Sequence, residues 1–363
     1  MATERYVRSF DGTELFTTAE GDGPVLVLSD GLGCDGFVWR HLRPAFASRY
    51  RILHWHYRGH GLSQAPKNPS GVGVEDLVGD LLAVLDAWDV DQAVLLGHSM
   101  GVQVILEFGV QHPERVLGLV PLCGSYGRPL DTFHDSDLAS ALLPRALDLI
   151  RRFPGRAQFL WSSLLPTELS YQIGVHFELN HKLVRRPDFE PYLEHLASMD
   201  IQVFMRMLEA LNRHSVEDRL HELHTPTLIV AGENDTFTPA WLSQRMHQLI
   251  PDSELLMIPS GTHAAPIELP ELVHLRLDRF LEQRVFGAAA GIETRAAAKA
   301  SAASTAAPKK ARKSKGAAKK RAPAAAKTSK SAADKGNGAK SGRAGKKKTG
   351  TRRAAGREAT LEG

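Results

Sequence analysis

The chain has 363 residues, with 45 Lys and Arg against 41 Asp and Glu, for a formal charge of +4. That mild figure hides a split. From Gly287 onward there are 21 basic and 4 acidic residues (net +17), and the 286 residues before it hold the other 24 and 37 (net −13). Cys34 and Cys123 are the only cysteines, which excludes a disulfide scaffold and a cysteine-rich zinc site. No apolar run approaches the roughly 20 residues that span a bilayer. The opening MATERYVRSFDGTEL lacks the apolar core of a secretory signal, so a cytoplasmic location is expected. Neither a cofactor nor a metal is expected.

Residues 5–10 and 14–20 suggest an antiparallel hairpin at a sheet edge. PVLVLSD at 24–30 and YRILHWHY at 50–57 are predicted strands. Val74, Leu77, Leu81, Leu85 and Trp88 recur at three- and four-residue spacings, which predicts an amphipathic helix. AVLLGHS at 93–99 is a strand, followed by a helix from about 101 and a strand at 116–123. TLIVAGEND at 227–235 and ELLMIPSGTH at 254–263 return to the strand pattern, and a helix around 266–285 closes the body. Strands alternating with helices imply right-handed crossovers and a mostly parallel sheet covered on both faces. Residues 287–363 contain 25 Ala and no aromatic residue. Such a segment cannot bury enough apolar surface to offset its ordering entropy, so a disordered tail is expected.

Gly97-His98-Ser99-Met100-Gly101 has the form G-x-S-x-G and stands where a strand should end and a helix begin. A serine at such a turn adopts a strained backbone that lifts its hydroxyl clear of the sheet. The N-terminus of the following helix favours developing negative charge. Tyr57-Arg58-Gly59-His60-Gly61-Leu62-Ser63 adds an R-G-x-G-x-S turn after an early strand. On these ordered motifs, residues 5–285 resemble the α/β-hydrolase superfamily. Many relatives carry Asp two residues before that Arg, whereas this chain has His56, which leaves the usual local salt bridge open. His60 sits inside the turn and is read as structural or surface.

The resemblance implies an α/β-hydrolase fold over 1–286, a helical cap at about 126–222 and a triad in the order Ser, acid, His. A serine hydroxyl needs an adjacent base, itself oriented by a third group. Ser99 is then the nucleophile, Asp235 in Gly232-Glu233-Asn234-Asp235 the acid, and His263 in Gly261-Thr262-His263 the base. Glu233 would point differently from Asp235. The alternative acid position after the strand ending at Cys123 holds Gly124 and Ser125, which offer no carboxylate. The oxyanion hole is expected from the backbone N–H groups of Met100 and, by position, Leu32. In the loop Ser29–Gly36, Asp30 replaces the His that relatives carry. The cap's Phe, Tyr, Trp and Met residues suggest a mainly apolar substrate, and most of them are expected to pack the cap itself.

The leading expectation is hydrolysis of a small ester or lactone through an acyl-enzyme. C–C bond hydrolysis, acyl transfer and cofactor-free perhydrolysis share the fold. A serine in place of an aspartate nucleophile argues against dehalogenase and epoxide hydrolase chemistry. A binding protein localised by its tail is the alternative of a different class. The basic runs, such as Lys309-Lys310-Ala311-Arg312-Lys313, resemble histone H1-like tails and imply nonspecific nucleic-acid or other polyanion binding through counterion release.

Overall fold

The computed structural model describes residues 2–177, 184 and 186–287. Eight strands, β1 Thr3–Arg8, β2 Glu14–Glu20, β3 Val25–Ser29, β4 Arg51–Trp55, β5 Ala93–His98, β6 Val116–Leu122, β7 Thr227–Gly232 and β8 Ser253–Ile258, form one sheet. Their order is β1-β2-β4-β3-β5-β6-β7-β8. β2 runs antiparallel to both β1 and β4, and every other neighbouring pair is parallel. The expected edge hairpin is present, with Thr3 opposite Ala19 and Arg8 opposite Glu14.

The period of two along each strand divides the core. Val27, Leu53, Leu95 and Ile229 face one side and pack with the helices Val74–Ala87, Met100–Gln111 and Ala240–Leu249. Leu26, Leu28, Val94, Leu96 and Val230 face the other side, against Trp39, Phe46 and the helix Pro270–Phe280. Both faces of β5 and β7 are therefore buried, which is why these strands read as continuous apolar runs. Removing one such side chain, as in Leu95→Ala, costs about 2–5 kcal/mol.

The structure refines two stretches. The predicted closing helix is broken into Ala265–Glu268 and Pro270–Phe280, with π-type turns over Leu281–Phe286. Pro270 has no N–H to donate and disfavours helical geometry at Leu269, whose φ is −133°. The helix Ala240–Leu249 also connects β7 to β8, a stretch whose polar residues mask its apolar positions Leu242 and Met246.

Between β6 and β7 the alternation stops, and among the described residues five α-helices follow: Leu138–Arg152, Pro154–Leu164, Glu168–Phe177, Arg186–Ser198 and Ile201–Arg213. An isolated bridge between Gly127 and Ser215 joins the two ends of this segment. Among the described residues, no helix is long and apolar enough to cross a membrane. The basic extension expected to be disordered lies, from residue 288 onward, outside the described residues.

Candidate active site

Ser99 follows the last residue of β5 and precedes the helix Met100–Gln111, with φ 53° and ψ −113°. A non-glycine residue there is strained, and the surroundings hold it in place. Its N–H donates to Leu122 O at 3.1 Å, and its carbonyl accepts from Val102 N at 3.1 Å. The turn is too tight for side chains at its flanks. A Cβ on Gly97 would lie 2.3 Å from Gly101 O, and one on Gly101 would lie 2.2 Å from Ser29 O. The strand-to-helix elbow expected from the motif is therefore present, and both glycines are sterically required.

Asp235 lies three residues past the end of β7 and is buried. Oδ1 accepts from Phe237 N at 2.9 Å and Thr238 N at 2.8 Å, and Oδ2 accepts from Thr238 Oγ1 at 2.8 Å. His263 Nδ1 lies 2.9 Å from Oδ2. Burial raises the carboxyl pKa, but the His263 charge and these hydrogen bonds outweigh it and hold the group below its usual value. An ionised carboxylate only accepts, so His263 donates to it from Nδ1.

Several partners beyond the triad expected from the sequence fix the loop carrying His263. His98 Nε2 donates to the His263 carbonyl at 3.0 Å. Glu268, on the short helix after the loop, accepts from Thr262 N at 2.8 Å and Thr262 Oγ1 at 2.6 Å. Phe237 stacks on the His263 ring with centroids 5.0 Å apart and planes 25° apart.

The loop after β3 is held from below. Asp30 Oδ1 accepts from Trp39 Nε1 and Oδ2 from His54 Nε2, both at 2.7 Å, and Asp30 O accepts from Tyr57 OH at 2.9 Å. The carboxylate that replaces the relatives' His is thus a buried anchor. His60 is buried rather than exposed. Its Nδ1 donates to Arg58 O at 3.3 Å, and its Nε2 accepts from Gly33 N at 3.0 Å. Burial pushes the His60 pKa down to about 4, which keeps the ring neutral and able to accept. The salt bridge left open by His56 is met from elsewhere. Arg58 donates to Asp80 through Nε at 2.7 Å and Nη2 at 2.6 Å, and pairs with Asp11 at 3.1 Å. His56 Nδ1 instead accepts from Leu62 N at 3.0 Å within the turn.

These loops meet around a cavity of 360 Å³ lined by Ser99, His263, Leu32 and Met100. Among the described residues, neither the Leu32 nor the Met100 N–H has a protein acceptor. Most of the remaining wall is apolar, with Phe189, Tyr192, Phe204 and Leu208 coming from the helical segment between β6 and β7. Cys34 is buried and also lines the cavity; burial, reinforced by Asp30 and Asp35, pushes its thiol pKa well up, so it behaves as a small hydrophobe. Among the described residues, no cluster of three or more His, Cys, Asp or Glu could hold a metal.

All five residues expected from the sequence border this one cavity or contact a residue that does. His60, His98, Thr238 and Glu268 are additional. The chain offered a signal only for His60 and His98, which sit inside the two motifs. Thr238 and Glu268 act through contacts that no motif records.

Residues 24–270 match the alpha/beta hydrolase fold family. A Stutzerimonas stutzeri protein named as a carbamate hydrolase is 28% identical over 283 residues, covering 74% of this chain and 96% of its own. The 2-hydroxy-6-oxo-2,4-heptadienoate hydrolase of Pseudomonas putida is 30% identical over 260 residues, covering 70% and 87%. A solved structure of an N-acyl homoserine lactone degrading enzyme superposes with a TM-score of 0.61 at 25% identity, covering 76% of this chain and all of its own. The chain belongs to the α/β-hydrolase fold family and is similar throughout its body to hydrolases.

Proposed function

We propose that the protein is a serine hydrolase that cleaves a carboxylic ester or lactone of a small, mainly apolar substrate. The observation that carries this reading is the strained Ser99 in one apolar cavity with the Asp235–His263 pair. In this reading His263 Nε2 takes the Ser99 proton as Oγ attacks the carbonyl carbon, and the Leu32 and Met100 N–H groups receive the oxyanion. The imidazolium then protonates the leaving alcohol, and Asp235 holds the ring and balances its charge. Water, deprotonated by the same nitrogen, attacks the acyl-enzyme and frees the acid and Ser99. The segment at about 126–222 acts as the cap, and its aromatic side chains select the apolar group.

The similarity to a lactone-degrading enzyme supports the lactone branch. The relative acting on 2-hydroxy-6-oxo-2,4-heptadienoate favours C–C bond hydrolysis as the second reading. The deciding experiment is hydrolysis of short-chain p-nitrophenyl esters and of acyl lactones by the purified chain. Turnover that disappears in Ser99→Ala supports the proposal; turnover of a 2-hydroxy-6-oxo dienoate alone favours the second reading. The basic extension is proposed to bind polyanions without sequence selection. Its nucleic-acid affinity should fall steeply with salt and vanish on truncation after residue 286, while ester turnover persists.

A further inference from the structure

Among the described residues, eight of the thirteen exposed large hydrophobic side chains lie between Leu138 and Leu169. They occupy consecutive elements on the outside of the cap. On the helix Leu138–Arg152, the positions Leu138, Leu142, Arg145, Leu149 and Arg152 repeat every three or four residues and form one outward stripe. Leu143 and Leu147 point the opposite way and are buried. Leu138 and Leu149 are each 62% exposed, and Phe159 on the next helix is 69% exposed. Phe153 joins the two helices, and the guanidinium groups of Arg152 and Arg156 lie 5.5 Å and 5.6 Å from its ring centre.

Charge on this face departs from the rest of the body. Residues 1–286 carry a net −13, but residues 138–166 hold four arginines and one acid, Asp148. Asp148 is paired with Arg151 at 3.6 Å. Among the described residues, Arg145, Arg152 and Arg156 form no ion pair.

We propose that this outer face of the cap docks on an anionic lipid–water interface. Leucine and phenylalanine interleaved with arginine suit that boundary: the rings and aliphatic chains enter the acyl edge, and the guanidinium groups stay at the phosphate level. The charge distinguishes this surface from two other occupants. A two-fold contact with a second copy would set unpaired arginines against their own mates. The cationic extension of this chain would be repelled by the same groups.

The docked face communicates with the cavity through one packed layer. Trp161 packs against Phe204, which lines the cavity, with ring centroids 5.0 Å apart and planes 48° apart, and its Nε1 donates to Leu196 O at 2.7 Å. The docking itself does not depend on which bond the cavity cleaves.

The test uses the full chain with vesicles of phosphatidylglycerol carrying brominated acyl chains, and reads Trp161 quenching. Trp161→Phe assigns the signal. A Leu149→Glu/Phe159→Glu variant changes only exposed cap positions, and its ester turnover in vesicle-free buffer verifies the fold. The expected result is quenching of Trp161 in the parent chain and about a tenfold or greater drop in partition for the variant. Phosphatidylcholine vesicles should quench far less. Vesicle binding through the cationic extension alone, with Trp161 unquenched, would overturn the proposal. So would equal quenching in the variant, or a dimer in solution that the variant converts to monomer.

Discussion

His98 Nε2 donates to the backbone carbonyl of His263 at 3.0 Å, so the residue beside Ser99 holds the loop that carries His263. Both are close neighbours, with ring centroids 5.0 Å apart. His98 Nδ1 is buried without a partner among the described residues. Burial and the neighbouring His263 push its pKa down to about 4, so the ring is a neutral single donor at working pH. His98→Ala is expected to lower kcat on a p-nitrophenyl ester by about 10-fold to 100-fold with KM little changed, because displacement of a positioned base slows chemistry more than binding. Glutamine places an amide nitrogen near the Nε2 position, so His98→Gln should recover part of the loss. Steady-state kinetics on both variants check this.

The second prediction concerns Asp235, whose Oδ2 lies 2.9 Å from His263 Nδ1. Asp235→Asn can donate to Nδ1 and so favours the wrong tautomer. Its kcat should drop by about 10⁴-fold with the fold intact. Circular dichroism and turnover of the purified variant provide the measurement, and activity near that of the parent would refute the assigned role.

Strain at Ser99 makes a stability prediction. With φ 53° and ψ −113°, glycine suits the elbow better than alanine does. Ser99→Gly should therefore exceed Ser99→Ala in unfolding free energy by about 1 kcal/mol, with both inactive. Chemical denaturation of the two variants side by side provides the comparison.

Acid sensitivity follows from three buried imidazoles. Burial depresses His56 to about 3, and His60 and His98 to about 4, from an ordinary value of 6.5. Protonation therefore favours the unfolded chain, where these rings titrate near their ordinary value. Their contribution is complete above about pH 6.5 and declines as pH falls towards 4. Each ring adds up to about 1.4 kcal/mol per pH unit to the slope within that window. Urea midpoints at pH 7.5, 6 and 5 should fall progressively. His60→Gln keeps an acceptor for the Gly33 N–H and should flatten the curve.

The elbow was legible because it is local. Gly97, Ser99 and Gly101 are spaced to suit a turn only a few residues long, and steric exclusion at two of them leaves little alternative. Asp235 and His263 were legible as ends of apolar strands, since an open parallel sheet gathers its strand termini along one edge. Leu32, singled out only by its place in a glycine-rich loop, lines the cavity. The expected helix around 266–285 runs through Pro270, where the structure breaks it at Leu269.

The sequence by itself determined the order of the strands, the split in charge, and which residues could supply a nucleophile, an acid and a base. These follow from periodicity, composition and short motifs, all of which act along the chain. Only the tertiary structure decided what holds them. The acid partner of Arg58 comes from the helix Val74–Ala87, the acceptor for Gly33 N–H from the turn after β4, and the anchor of Thr262 from a helix beyond His263. Such contacts pair polar groups distant in sequence because a buried donor or acceptor must find a partner wherever packing brings one close. No spacing rule along the chain encodes that choice.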